Sequence, residues 1–352
     1  MASEISMTVE QPVKEQYSIL YHGNCIDGWF SAFIAYTHYI RENKYVTMYP
    51  ICPSQPNTWP GLDQLAGTHL LLTDVSVAKE FRDQWMNGGV LSIQCIDHHE
   101  SSLEHWTNEP NPIHTECCAT LLAFRRFFPE EEPAPWIFSI DRIDRWDNPT
   151  YEDRCLREML NIIAHKPVQK RQNEAIQMTD DFIRAVEDQE KYHAFLERGR
   201  QILLAKDEQL LGVLAQRGTF HRFNERHLMT WNLPQSWMNA NVFIMDNTDI
   251  TIDSTEAAQL VFEHYPMTDV FINYRVKSFL SKDAKPVQKQ VVTYSARSRG
   301  FPLTEGTIFK GHPVAAGASI VIGDTPILPF LLHPLVPVQA IQPIQPIQAM
   351  VQ

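Results

Sequence analysis

Positive charge is scarce in this 352-residue chain, which sets 30 Lys and Arg against 42 Asp and Glu for a formal net charge of −12. A protein that grips long duplex nucleic acid neutralises many phosphates with basic side chains, so that class is excluded. A short anionic ligand remains open, held by a few local cations and by bound metal. Paired cysteines are missing as well: Cys25, Cys52, Cys95, Cys117, Cys118 and Cys155 all fall in the first half and form no CxxC pair. Neither a disulfide framework nor zinc-finger spacing is present, which points to free thiols and a cytoplasmic, reducing location. The first sixteen residues carry Glu4, Glu10 and Glu15 and lack an apolar core, so no secretory signal is expected there. Long apolar runs are also lacking. The most apolar stretch, 313–338, is interrupted by Gly317, Gly323, Asp324 and several prolines, and a membrane anchor is not expected.

What is present fits a folded protein, with 44% hydrophobic, 11% aromatic and 20% charged residues. The length exceeds what one core usually covers, so two domains are expected. From Tyr17 onward short apolar runs alternate with helix-like segments, the pattern of βα units and a largely parallel sheet. The strand candidates are 18–21, 70–73, 90–96 and 136–140, with helices between them over 29–41, 77–87 and 116–128. Residues 179–217 are rich in Glu, Lys, Leu, Ala and Gln and predict a helical connector. Strands at 242–245, 269–274 and 290–295, with a helix over 254–264, predict a smaller second α/β domain. The expected organisation is a disordered start at 1–16, a first domain at 17–178, the connector at 179–217, a second domain at 218–330 and a disordered Ile-Gln-Pro tail at 331–352.

Each of the four early apolar runs is followed at once by side chains that bind metal. His22, Asn24 and Asp27 follow the first and Asp74 the second; Asp97, His98 and His99 follow the third, and Asp141 and Asp144 the fourth. In open α/β sheets ligands bind beyond the carboxyl ends of strands, so these distant groups should converge. Taken singly, Asp74 reads equally well as a helix cap, and Asp141 and Asp144 as solvated loop charges. The adjacent pair His98-His99, preceded by Asp97 at a strand end, is harder to explain structurally. Imidazole and carboxylate ligands suit borderline or hard divalent ions, manganese first, with magnesium or cobalt as substitutes.

Ile96-Asp97-His98-His99 resembles the signature of the DHH phosphoesterases, a superfamily that includes the exonuclease RecJ, nano-RNases and cyclic-dinucleotide phosphodiesterases. Tyr21-His22-Gly23-Asn24-Cys25-Ile26-Asp27-Gly28-Trp29 is similar to the family's first motif in a variant form. Leu72-Thr73-Asp74 is similar to the second, and Asp141-Arg142-Ile143-Asp144-Arg145-Trp146 to the fourth, in the family order. Farther on, Tyr294-Ser295-Ala296-Arg297-Ser298 and Gly311-His312-Pro313-Val314-Ala315-Ala316-Gly317 resemble the Arg-Ser and Gly-His elements of the DHH-associated C-terminal domain. The chain departs from the pattern at Asn24, where many relatives are acidic, at Phe309-Lys310, which replace two glycines, and in a fourth motif longer by one residue.

The resemblance implies a DHH domain of mostly parallel sheet, a helical connector and a smaller substrate-binding domain. It implies a two-metal centre hydrolysing phosphodiester bonds in a short oligonucleotide or a linear or cyclic dinucleotide. His22 and Asn24 would help hold one ion, while Asp27, His98 and Asp141 or Asp144 hold the other and Asp74 bridges. Asp97 would orient His98, and His99 would face the phosphate. Arg297, Ser298, Gly311 and His312 would bind the far end of the substrate. Trp146 is the one tryptophan expected to stack on a base. The sequence leaves room for a homodimer. Two other readings stand beside this one: a pyrophosphatase or polyphosphatase of the same superfamily, and a nucleotide-binding protein without turnover.

Overall fold

The computed structural model describes residues 14–106, 114–147, 149–167, 171–223, 225, 228–229, 233–250, 252–280, 288–301, 303, 310–312 and 315–322. The expected tail at 331–352 and the first thirteen residues lie outside these. Gln16, assigned above to a disordered start, already belongs to the first strand.

Four strands, β1 (Gln16–His22), β2 (Tyr45–Ile51), β3 (His69–Thr73) and β4 (Ser92–Ile96), pair in parallel in the order β2-β1-β3-β4. Side chains alternate across a strand, and here both faces are buried. Ile19 and Tyr21 enter one core with Leu71 and Ile96, whereas Leu20, Leu70, Leu72 and Cys95 enter another. The first core is filled by α1 (Ile26–Arg41), α5 (Ala119–Phe127), α6 (Pro135–Asp144), α7 (Tyr151–Ala164) and α8 (Gln172–Val186). The second takes Leu65 from α2 (Leu62–Leu65), Trp85 from α3 (Lys79–Asn87) and Trp106 from α4 (Leu103–Trp106). A side chain as fully buried as Phe30 contributes on the order of 2 kcal/mol through its apolar area. Trp29 is core too, its indole N–H donating to Thr179 at 2.9 Å.

Two of the expectations above need correction. The apolar run 136–140 is not a strand but the body of α6. Pro135 occupies the first helical turn, where its missing N–H costs nothing, and Trp136, Ile137, Ile140 and Asp141 are buried at helical spacing. A five-residue apolar run is too short for its period to be read. Conversely, β2 has no counterpart among the expected strands. It is an edge strand whose Pro50 sits opposite Tyr21, and an edge tolerates the loss of a donor.

The chain divides into two compact units, Met1–Leu203 and Leu204–Gln352. The division falls inside α9 (Gln189–Arg217), within the span 179–217 expected as a helical connector. Tyr192, Phe195 and Leu196 pack on the first unit's core, and Leu210 and Leu214 belong to the second unit's.

The second unit carries β5 (Gly218–Arg222), β6 (Asn241–Asp246), β7 (Val270–Leu280), β8 (Gln288–Ser298), β9 (Lys310–His312) and β10 (Ala315–Ile322) in the order β5-β6-β7-β8-β10-β9. Among the described residues only β6 and β7 pair in parallel, joined by α10 (Ser254–His264); the other neighbours are antiparallel. Asp253 starts α10 by accepting from the N–H groups of Thr255 at 2.7 Å and Glu256 at 3.1 Å. The described residues are thus α/β, a parallel four-stranded sheet followed by a mixed six-stranded one. No helix among the described residues is long and apolar enough to cross a membrane.

Candidate metal centre

The carboxyl ends of β1, β3 and β4 lie side by side, and each delivers its motif there. After His22 the chain turns through Asn24, in the left-handed region at φ 60°, into α1. That return is tight: a Cβ on Gly28 would lie 2.2 Å from the His22 carbonyl oxygen, so only glycine allows α1 to start against the end of β1. Asp27 is thereby buried in the first turn of α1. Asp74, directly after β3, also has positive φ, at 55°. A non-glycine residue in that region is strained, and here the strain brings the carboxylate into the cluster rather than into a helix cap. The cap role weighed for Asp74 falls away, because α3 begins only at Lys79 with Ala78 before it.

The groups converge. His98 Nε2 lies 3.2 Å from Asp144 Oδ2, 3.3 Å from Asp74 Oδ1 and 3.7 Å from Asp27 Oδ2. His22 Nδ1 is 3.3 Å from Asp74 Oδ2. Both Asp74 oxygens, His98 Nε2 and Asp144 Oδ2 are buried without a hydrogen-bond partner. Buried polar atoms left so are costly, and several of them aimed at one another are what a cation between them would satisfy. The donor set of imidazole nitrogen and carboxylate oxygen fits a divalent ion.

Charge in the cluster is correspondingly distorted. Burial works against the imidazolium of His98, but Asp74, Asp144 and Asp27 around it push its pKa up to about 10. Burial raises Asp74, yet His22 and His98 outweigh that and hold it well below the usual carboxylate range. Asp27 is pushed up to about 6 by burial and by Asp74. Asp144 is pushed well up by burial and by the charges of Asp27 and Asp74. Carboxylates this close cannot all ionise without a compensating cation.

The two aspartates of α6 separate cleanly. Asp144 points into the cluster. Asp141 accepts from the Cys118 N–H at 2.6 Å and from Arg145 through Nε and Nη2, both at 3.0 Å. Asp27 shares in fixing the start of α5, accepting from the N–H groups of Ala119 and Thr120 at 2.7 Å each. Asp97 contacts the ring of His99, not of His98, contrary to expectation: its Oδ1 lies 2.7 Å from His99 Nδ1 and takes only the main-chain N–H of His98. Its other oxygen accepts from Ser102 at 2.7 Å, and Ser102 accepts from Ser76. The contact with Asp97 raises the pKa of His99, whose side chain is 40% exposed and so open to a ligand.

The motifs assign no role to Cys25 or Ser102. Cys25 stands at the start of α1, and its sulfur groups with His22 and Asp74, all ligand atoms lying within 4.8 Å of one another. Burial, with Asp74, Asp144 and Asp27 nearby, pushes its thiol up.

In the second unit, Arg297 is largely committed. Its Nη1 donates to the Ala296 carbonyl at 2.8 Å and to Ser295 at 3.2 Å, its Nη2 donates to Thr255 at 2.9 Å, and its buried Nε has no partner. Ser298 is buried and donates to the Phe301 carbonyl. Gly311 and His312 lie on β9, opposite Ala316 and Ala315 of β10. Trp146 follows α6 with φ 56° and is half-buried. Pro313 and Val314, quoted with the Gly-His motif, lie outside the described residues.

Solved structures similar to this chain include the pGpG-specific phosphodiesterase PggH of Vibrio cholerae, at 13% identity and a TM-score of 0.45, the match covering 88% of this chain and 94% of that one. RecJ of Thermus thermophilus in complex with Mn2+ matches at 12% identity and a TM-score of 0.41 over 87% of this chain and 49% of that one. An exopolyphosphatase-related protein from Bacteroides fragilis matches at 11% identity and a TM-score of 0.40 over 87% of this chain and 86% of that one. No family model and no curated protein matches by sequence.

Proposed function

We propose that this chain is a metal-dependent phosphoesterase that hydrolyses a phosphodiester bond in a short oligonucleotide or a dinucleotide at a two-metal centre. One observation carries the reading: His22, Asp27, Asp74, His98 and Asp144, spread over three strand ends and two helices, converge with separations of 3.2 to 3.7 Å, and the ligand atoms of Asp74 and His98 and one oxygen of Asp144 are buried without a hydrogen-bond partner. The motif order supports it.

Asp27, His98 and Asp144 would hold one divalent ion, His22 and Asp74 the other, with Asp74 shared between them. Asn24 serves as the turn residue between His22 and Asp27, and Asp141 ties α6 to α5. Manganese fits the Asp27, His98 and Asp144 donors best, with magnesium or cobalt as substitutes. When bound, such an ion pair supplies a water of lowered pKa and neutralises charge on the phosphoryl oxygens. The chain's own groups do the rest. Asp97 fixes the His99 ring through Nδ1, leaving Nε2 to face a phosphate oxygen or to protonate the departing one. Asp97 is in turn held by Ser102. In the second unit Arg297, Ser298, Gly311 and His312 are the residues proposed to bind substrate.

The test is a panel of linear dinucleotides, cyclic dinucleotides, short RNAs and pyrophosphate, incubated with the chain and manganese. Mononucleotide release that disappears in Asp74→Ala and His98→Ala is expected. Release from pyrophosphate alone would replace this reading with a pyrophosphatase, and nucleotide binding without turnover under any divalent metal would replace it with a binding protein.

A further inference from the structure

We propose that Cys25 is a metal ligand, completing with His22 and Asp74 a nitrogen, sulfur and oxygen site that takes zinc or cobalt in preference to manganese or magnesium. This rests on the phosphoesterase reading and refines it: the centre becomes a mixed one, with a softer half at His22, Cys25 and Asp74 and a harder half at Asp27, His98 and Asp144.

Two observations support it. The sulfur, a ring nitrogen of His22 and a carboxylate oxygen of Asp74 all lie within 4.8 Å of one another, close enough for one cation to draw them in. Asp74 is 2% exposed, neither of its oxygens has a hydrogen-bond partner, and one faces His22 at 3.3 Å, so a ligand is missing at that point independently of the cysteine.

The other cysteines are placed differently. Cys95 donates to the Val75 carbonyl at 3.6 Å, Cys117 accepts from Arg125 at 3.7 Å, and Cys52 meets Ser54 at 3.2 Å. Among the described residues no other cysteine joins His, Asp or Glu in a potential metal-binding group.

Softness then decides the metal. Thiolate ligands favour zinc and cobalt over magnesium and manganese, and three protein ligands with an open fourth position are the arrangement of catalytic rather than structural zinc sites. As the sulfur–metal bond forms, the S–H bond breaks and the proton passes to solvent, so uptake of this one ion releases a proton.

Cobalt titration of the metal-free chain tests the assignment directly. A sulfur-to-cobalt charge-transfer band is expected in the near ultraviolet, lost in Cys25→Ser, whose zinc affinity falls by more than about tenfold. Absence of the band from the unaltered chain, or its survival in Cys25→Ser, would overturn the proposal. Should that variant fail to fold, cadmium NMR on the unaltered chain asks the same question: a resonance shifted far downfield supports a sulfur ligand, and one in the range of nitrogen and oxygen ligands refutes it. Manganese-dependent hydrolysis without the band would sink only this inference, whereas the band without hydrolysis of any phosphate ester would keep the site and remove the phosphoesterase reading.

Discussion

Asp74 Oδ1 and His98 Nε2 face each other across 3.3 Å, both buried, and neither holds a hydrogen bond. The two attract as an ion pair, but without a hydrogen bond neither recovers in full what it lost on leaving water. Their neighbours Asp27 and Asp144 add further negative charge. The metal-free centre is therefore a region of stored repulsion that a divalent cation would relieve.

Metal should accordingly stabilise the fold. Calorimetric unfolding with manganese or zinc at about a hundredfold excess over the dissociation constant should gain about 2.7 kcal/mol for each site filled. A chelator should reverse the gain, and Asp74→Ala should abolish it. An unchanged transition temperature with metal in the unaltered chain would count against the centre.

The two aspartates of α6 should give opposite phenotypes. Asp144→Ala removes a ligand and a source of repulsion, so metal affinity should collapse while the metal-free protein keeps or gains stability. Asp141→Ala leaves the Cys118 N–H and Arg145 without their acceptor and should cost about 2 to 3 kcal/mol whether or not metal is present. Isothermal titration and chemical denaturation of the two variants separate these outcomes.

Acid should act through Asp153. This buried carboxylate accepts two hydrogen bonds from Arg142, at 2.7 and 2.8 Å, and closes a capping box with Thr150 at the start of α7. Burial raises its pKa, but Arg142 and Thr150 outweigh that and bring it down to about 2. A depressed folded-state value means the stabilisation is present above the unfolded value near 4 and is lost as pH falls toward 2. The contribution is about 2 kcal/mol. In Asp153→Asn, denaturation between pH 4 and 2 should show a correspondingly shallower loss of stability.

Gly28→Ala should separate α1 from β1. The new methyl group would meet the His22 carbonyl oxygen, a backbone atom that cannot step aside. A loss of about 3 kcal/mol is expected, together with weakened binding at His22, since the same turn sets that ring. Circular dichroism melts and metal titration of the variant check both effects.

Much of the centre was legible in the sequence because its chemistry is local. His22, Asp74 and the run Asp97-His98-His99 each follow a short apolar strand directly, and an open parallel sheet gathers such ends on one side. The α/β class and three strands of the second unit, β6, β7 and β8, follow from alternating apolar runs in the same way. Tertiary structure decided what depends on direction rather than order. Asp141 and Asp144 are three positions apart, and only the rotation of α6 around its axis sends one to the start of α5 and the other to His98. Asp97 reaches the second imidazole rather than the first because the backbone after β4 turns within two residues. Cys25 joins the cluster because Gly28 lets a helix begin against a strand end. A linear pattern records which residues are present and in what order; the angles at which they leave the backbone are set by packing against chain that lies far away in sequence.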